Sequence, residues 1–450
     1  MGRARRQWII PGSILVVALA TRVGYVLATP GYTMLHDDHA YDRLALGIAR
    51  TGAYPDVGGH ATAYRPPGFT YMLGAVYALA GSGHARVVAA RMVQALVGVV
   101  IVALLGALAA RLVGRRAAVC TMLLAALYVP LVAAGTSLLS EPLTVALELG
   151  AVLAVLAWQR EGRLRWVMAA GATGGAMALC RSNGFVVIIA LAVGVALAGR
   201  RVRPGALEPV AVLALTAAAI VAPWTVRNAV VLHAFIPVSD ELGGTLAGTY
   251  NPVSAHDPAG PGFWRLLSQI PQYDSDTRTL AAGPEYPFQQ KLVHLALQYA
   301  EHHPLYPLDV AWWNTKRLLG FNSLSLSRFT ASVAGITSPE VADAGVFSFW
   351  VVGAMALVAC FQRGIRRRIP AFVWLVAAFL FLSIVFVNSE APRLRLPLDP
   401  FVLLLAGAGL ASITGRAGRS CTGPSASRIG SGAGATRLAS RDDGVEDSSI

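Results

Sequence analysis

Ten stretches of this chain are apolar over 16 to 26 residues each: 8–29, 87–112, 117–137, 142–158, 166–181, 184–199, 207–226, 343–361, 370–387 and 397–413. A helix needs ~20 apolar residues to cross the ~30 Å hydrocarbon core of a bilayer. Within that core every backbone N–H and C=O must be satisfied internally, which ten separate helices can do. The pattern therefore predicts an all-α polytopic membrane protein. Composition agrees: charged residues make up 14% and apolar residues 55% of the 450, against roughly 25% charge in soluble domains. Intrinsic disorder, a disulfide scaffold and an ordinary cytosolic enzyme are excluded for the bulk of the chain. Cys120, Cys180 and Cys360 lie in apolar runs and Cys421 in the tail, so no disulfide framework is laid out.

The net charge of +13 and pI near 10.1 would suggest nucleic acid in a soluble domain. Here the placement of the charge carries the information, and no nucleic-acid partner is expected. Arg3, Arg5 and Arg6 precede the first run, and its Ala18-Leu19-Ala20 resembles a signal-peptide cleavage region. The run continues to Ala28, so a retained membrane anchor is expected. Four loops between runs are basic: Arg115 and Arg116; Arg160, Arg163 and Arg165; Arg200, Arg201 and Arg203; Arg363, Arg366, Arg367 and Arg368. Short loops rich in Lys and Arg stay cytoplasmic. Ten spans put all four on that side with both termini. Segment 66–81 is apolar but short, and counting it as an eleventh full span would put the first three loops outside. It is expected to be a re-entrant or interfacial helix, giving about 10–11 membrane helices.

The opposite face then receives 30–66, the turns at Ser140-Glu141 and Arg181–Asn183, a long stretch 227–342, and 388–395. This divides the chain into an N-terminal membrane module (1–226) with its first outer loop, a large extracytoplasmic loop (227–342), C-terminal membrane helices (343–413) and a tail (414–450). The tail is rich in Gly, Ser, Ala and Arg, ends in Asp442, Asp443, Glu446 and Asp447, and is expected to be disordered and cytoplasmic. Asp309–Phe321 reads as an interfacial helix with an aromatic belt.

Several outer residues could carry chemistry. Residues 38–50 have the spacing of an amphipathic helix, with Asp37 and Asp38 at its start. Two readings stand: carboxylates that favour the helix dipole, or a general base whose pKa an adjacent acid and the membrane boundary would raise. His36 and His39 flank them as weak candidate metal ligands. Tyr64-Arg65-Pro66-Pro67 presents Arg65 at the interface, either snorkelling or clamping a phosphate or carboxylate. Ser140 can cap the helix that follows. Glu141 and Glu148 are two turns apart and share its face, Glu141 as a substrate-cavity residue and Glu148 either there or paired with an Arg of another span. Arg181, Arg227, Arg393 and Arg395 oppose the positive-inside trend. They either pair with outer carboxylates, such as Glu390, or receive an anionic lipid phosphate. No P-loop, Ser-His-Asp or CxxC pattern occurs.

In their order these elements resemble the bacterial GT-C membrane glycosyltransferases of the protein O-mannosyltransferase and lipid A aminoarabinose transferase group (glycosyltransferase family 39-like). The matching elements are Asp37-Asp38-x-x-Tyr41, Tyr54, Pro66-Pro67-Gly68, Glu141-Pro142, Arg181-Ser182-Asn183-Gly184, Pro223-Trp224-x-x-Arg227-Asn228 and Arg393-x-Arg395-x-Pro397, over roughly 8–413. The resemblance implies a GT-C fold and a polyprenyl-phosphate-linked sugar donor. It implies transfer to an extracytoplasmic glycan, lipid or protein, and no essential metal or cofactor. It makes Asp37 the acid that deprotonates the acceptor. Asp38 is Glu in many relatives, and Glu141 stands at a second acidic position that is usually Asp. Arg65 and Arg181 match basic positions, Arg181 near the donor phosphate; Arg227, Arg393 and Arg395 are further candidates for it, and Tyr41, Tyr64 and Glu148 for the cavity. With a phosphate as leaving group, one carboxylate base suffices for direct displacement with inversion. The competing class is a non-enzymatic flippase or transporter of lipid-linked sugars, for which the in-span charges Arg22 and Glu148 speak.

Overall fold

The computed structural model describes residues 2–202, 207–273, 283–389 and 392–420, with backbone alone at 2–8, 199–202 and 415–420. Arg203, Glu390 and the tail from Cys421 lie outside the described residues, as do the side chains of Arg3, Arg5, Arg6, Arg200 and Arg201. The described residues up to Ser412 form one compact unit.

Every one of the ten apolar runs is helical. They correspond to α1 (Gly2–Ala28), α4 (Ala85–Leu112), the pair α5 (Arg115–Leu127) and α6 (Val129–Ala133), α7 (Glu141–Glu161), α8 (Leu164–Cys180), α9 (Gly184–Val202), α10 (Glu208–Val231), α16 (Pro339–Phe361), α18 (Ala371–Val385) and α19 (Asp399–Ser420). The first outer loop forms α2 (Asp37–Thr51), and 66–81 forms the short α3 (Pro67–Ala80). Stretch 227–342 contains α11 (Leu242–Thr249), α12 (Pro252–Ala255), α13 (Glu285–His302), α14 (Tyr306–Leu318) and α15 (Leu324–Val333); α17 (Arg363–Arg366) links α16 to α18. Strands are absent among the described residues, apart from one bridge between Val57 and His60.

By length and composition, five of the described helices can cross a membrane: α1, α4, α7, α10 and α16. The α5–α6 pair makes a sixth, bent by 63°. The others are shorter; at ~1.5 Å per residue the 17 residues of α8 reach about 25 Å. Glycines tighten this packing where they face backbone. A Cβ on Gly171 would lie 2.5 Å from the Leu213 carbonyl, and one on Gly175 would lie 2.8 Å from that of Ala217. The Gly-x-x-x-Gly spacing thus lets α8 lie directly against α10, as small residues do where lipid supplies no hydrophobic drive. Helix α7 is the most enclosed, with residues 151–158 buried without interruption.

The bend between α5 and α6 explains the buried Arg22. Tyr128 is extended and Pro130 follows, so the Ala125 and Ala126 carbonyls lose their helical donors, Pro130 having no N–H. The Arg22 guanidinium replaces them, with Nη1 donating to Ala126 O at 3.3 Å and Nη2 to Ala125 O at 3.2 Å. A charge that read as a sign of transport is a structural cap on a broken helix.

Arginines gather at one set of helix ends. Arg111, Arg160 and Arg368 meet at one end, where Arg160 Nη2 donates to Arg111 O at 2.8 Å and Arg368 Nη1 to Val113 O at 2.8 Å. The candidate site residues gather at the other ends of these helices.

Candidate active site

Helix α2 lies against α3 through Tyr41, Phe69, Leu73 and Tyr77, which form one buried cluster. The α2 N-terminus is placed by Asp38. Its Oδ1 accepts the backbone N–H groups of Leu35 (3.1 Å), His36 (3.0 Å) and His39 (2.9 Å), and its Oδ2 accepts the Tyr32 hydroxyl (2.9 Å). Tyr32 in turn lies under the Arg91 guanidinium, 4.5 Å from the ring centre. Asp38 is thus spent on the loop that carries Asp37, and its carboxylate faces that loop instead of the outer arginines.

Asp37 projects toward two guanidiniums. Arg65 Nη2 donates to Asp37 Oδ1, and Arg393 Nη1 donates to Oδ2 at 2.5 Å. Arg65 is itself fixed from three sides: its Nη1 meets Glu241 Oε2 at 3.0 Å, and its guanidinium lies 5.5 Å from the Tyr41 ring centre and 5.1 Å from that of Tyr64. Burial works against the Asp37 charge, but Arg393 and Arg65 outweigh it and hold this carboxyl well below the usual carboxylate range. The expectation of a raised pKa fails at this carboxylate because it faces two cations, not a second acid.

Glu141 opens α7 and pairs with Arg181 at 2.7 Å, just past the end of α8. Ser140 makes no side-chain cap; its hydroxyl instead faces Arg181 Nη1 at 3.4 Å and the Tyr41 hydroxyl at 3.5 Å. Tyr41 therefore joins the two ion-pair groups. Glu241 lies within electrostatic reach of Arg65, Arg181, Asp37 and Arg393; burial pushes its carboxyl up and the arginines oppose this.

Behind Arg65 the segment Thr62–Tyr64 is held by the large outer loop. Glu285, at the start of α13, accepts the Thr62 hydroxyl at 2.6 Å and the Ala63 N–H at 2.8 Å. Asp240 donates its N–H to Ala63 O at 3.4 Å. Burial and the facing Glu285 push the Asp240 carboxyl up to about 8.

The remaining sequence candidates lie elsewhere. Arg227 donates to Thr62 O at 2.8 Å and stacks on Trp224 and Tyr54, at 4.7 and 5.5 Å. Arg395 turns the other way, pairing with Asp399 at 3.0 Å and lying 3.6 Å over the Phe349 ring. Glu148 is fully buried in α7, and neither of its oxygens has a hydrogen-bond partner among the described residues. His36 and His39 are exposed, and no group of three or more His, Cys, Asp or Glu is placed to hold a metal among the described residues. Glu241, Asp240 and Glu285 were not singled out as site residues from sequence; the pairing of Asp240 and Glu241 with the first outer loop spans about 180 residues and has no local signature.

A family model described as dolichyl-phosphate-mannose-protein mannosyltransferase matches residues 64–226, from the segment carrying Arg65 to the end of the Pro223–Val226 element. The archaeal oligosaccharyltransferase AglB from Archaeoglobus fulgidus, solved with an inhibitory peptide and a dolichol-phosphate, superposes over 93% of this chain and 52% of its own, with a TM-score of 0.50 at 14% identity. The chain has the GT-C glycosyltransferase fold. The apo form of the Archaeoglobus fulgidus oligosaccharyltransferase gives a TM-score of 0.53 at 15% identity, covering 91% of this chain and 51% of its own. ArnT from Cupriavidus metallidurans, bound to undecaprenyl phosphate, covers 92% of this chain and 79% of its own at 15% identity and a TM-score of 0.45. This GT-C chain spans about half the length of the archaeal oligosaccharyltransferase chains. No curated relative matches it.

Proposed function

We propose that this chain is a membrane glycosyltransferase that moves a hexosyl or pentosyl group from a polyprenyl-phosphate-linked donor to an extracytoplasmic acceptor in the cell envelope. One observation carries the reading: Asp37, held between Arg65 and Arg393, with the Glu141–Arg181 pair joined to it through Tyr41 and Ser140. Three guanidiniums facing Asp37, Glu141 and Glu241, with Asp37 between two of them, suit a displacement in which a phosphate leaves and a hydroxyl attacks. In this proposal Asp37 takes the acceptor proton, and Arg65, Arg393 and Arg181 hold the phosphate charge that develops. Glu141 orients Arg181, and Tyr41 and Tyr64 wall the site. The basic helix ends are assigned to the cytoplasm and this cluster to the opposite leaflet. The transporter reading loses one of its two supports once Arg22 serves as a cap on backbone carbonyls, and Glu148 remains as the other.

The test is genetic and chemical. A deletion strain should accumulate a polyprenyl-phosphosugar and lose sugar from one envelope product. The wild-type chain should reverse both and Asp37→Asn neither, at equal membrane abundance. Full reversal by Asp37→Asn would refute the assignment.

A further inference from the structure

The proposed base is not free. Both Asp37 oxygens accept from guanidiniums, Oδ1 from Arg65 and Oδ2 from Arg393. A carboxylate so engaged accepts a further proton poorly, and its carboxyl is held below the usual range. Yet the same two arginines are the groups best placed to meet a phosphate. The base and the donor phosphate therefore compete for one pair of cations. A phosphate ester offers more acceptor oxygens than a carboxylate, and planar guanidinium forks match it bidentately.

Resting on the glycosyl-transfer reading above, we infer that the donor's phosphate ester activates Asp37 by drawing Arg65 and Arg393 away from it, so that the donor must bind before the acceptor can be deprotonated. With the phosphate in place, the acceptor hydroxyl gives its proton to the released Asp37 carboxylate. The acceptor oxygen bonds to the sugar's anomeric carbon. The electron pair of the breaking carbon–oxygen bond stays on the phosphate, where Arg65 and Arg393 now lie. The arginines thus quench the base in the empty site and stabilise the leaving group in the occupied one. Glu241 adds a second competitor, since it holds the other end of the Arg65 fork at 3.0 Å.

This competition has a consequence opposite to that of simple loss of function. Removing the Asp37 charge takes one competing acceptor from each of two guanidiniums, so it should tighten phosphate binding while abolishing transfer. The measurement is equilibrium binding of farnesyl phosphate to the purified full chain in detergent at neutral pH, with farnesol and inorganic phosphate as separate arms. Asp37→Asn is expected to bind farnesyl phosphate at least tenfold more tightly than wild type. Glu241→Gln is expected to move the same way by a smaller factor, and Arg65→Ala with Arg393→Ala to weaken binding at least tenfold. Farnesol binding should not change in any variant, and inorganic phosphate should follow the farnesyl phosphate trend at lower affinity. If Asp37→Asn folds poorly, as judged by its melting profile, Glu241→Gln carries the test alone. Equal or weaker farnesyl phosphate binding by the folded carboxylate variants overturns the inference and leaves the glycosyl-transfer reading standing. Absence of farnesyl phosphate binding by wild type and variants alike overturns the donor-phosphate reading and the inference with it.

Discussion

The Glu141–Arg181 pair is asymmetrically buried, and this asymmetry fixes what its removal must cost. The Glu141 side chain is 1% exposed and the Arg181 side chain 24%. Apart from Arg181, no donor reaches either Glu141 oxygen among the described residues. Arg181→Met therefore strands a buried charge with nothing to compensate it, a loss of about 3–5 kcal/mol. Glu141→Gln strands a guanidinium that water and the Ser140 hydroxyl can still reach, so its cost falls toward that of a half-exposed pair, about 1 kcal/mol. The double variant leaves an uncharged Gln beside a Met and should cost about 1–2 kcal/mol, since replacing both members of a buried pair is often close to neutral. The cycle thus predicts a favourable coupling of about 3 kcal/mol between the two residues. Equilibrium unfolding of the four purified proteins in mixed micelles measures it. Additive single effects, or an Arg181→Met variant no less stable than Glu141→Gln, would refute the argument that Arg181 is present to satisfy a buried carboxylate.

Two further outcomes follow from neighbouring contacts. Asp240 faces Glu285, Glu241 and Tyr64, and its carboxyl is pushed up to about 8 from an ordinary value of 3.8. The folded chain then binds a proton that the unfolded chain gives up, so the stability this group contributes is full below about pH 4 and is lost as pH rises through about 8; Asp240→Asn should flatten the fall in melting temperature between pH 5 and 9, and an unchanged slope would contradict this. A Cβ on Gly98 would meet Arg22 Nε, with Cδ at 2.7 Å, so Gly98→Ala should push the Arg22 cap off the Ala125 and Ala126 carbonyls and cost about 1–3 kcal/mol by unfolding in micelles; a neutral effect would show that the cap is dispensable.

The membrane helices were legible because each is a long apolar run, and the short helix α3 was legible as an apolar stretch of the same kind but of fewer residues. Helix α10 runs five residues beyond the expected end at Val226, since a proline inside a membrane helix does not end it when neighbours hold the backbone. Of the candidate residues read from sequence, Asp37 meets Arg65 and Arg393, and Glu141 meets Arg181; each lies near the end of an apolar helix or at the start of the first outer helix. Asp240, Glu241 and Glu285 lie in a long polar stretch where acids are unremarkable, and only the fold brings them to the first outer loop.

Arg393 and Arg395 show most clearly where sequence reasoning stops. Both oppose the positive-inside trend, and both precede the last apolar run. They lie in a single 3₁₀ turn, Arg393–Arg395, where three residues complete a revolution. Residues two apart then point about 120° apart. Arg393 faces Asp37, while Arg395 faces Asp399 and the Phe349 ring. In an extended segment the same pair would have shared a face, and Arg395 would have stood beside Arg393 instead of turning away from it. The turn divides them: Arg393 joins Arg65 on Asp37, and Arg395 satisfies Asp399 inside the protein. Charge at a membrane face marks where function can be, and backbone geometry decides which charges are available to it.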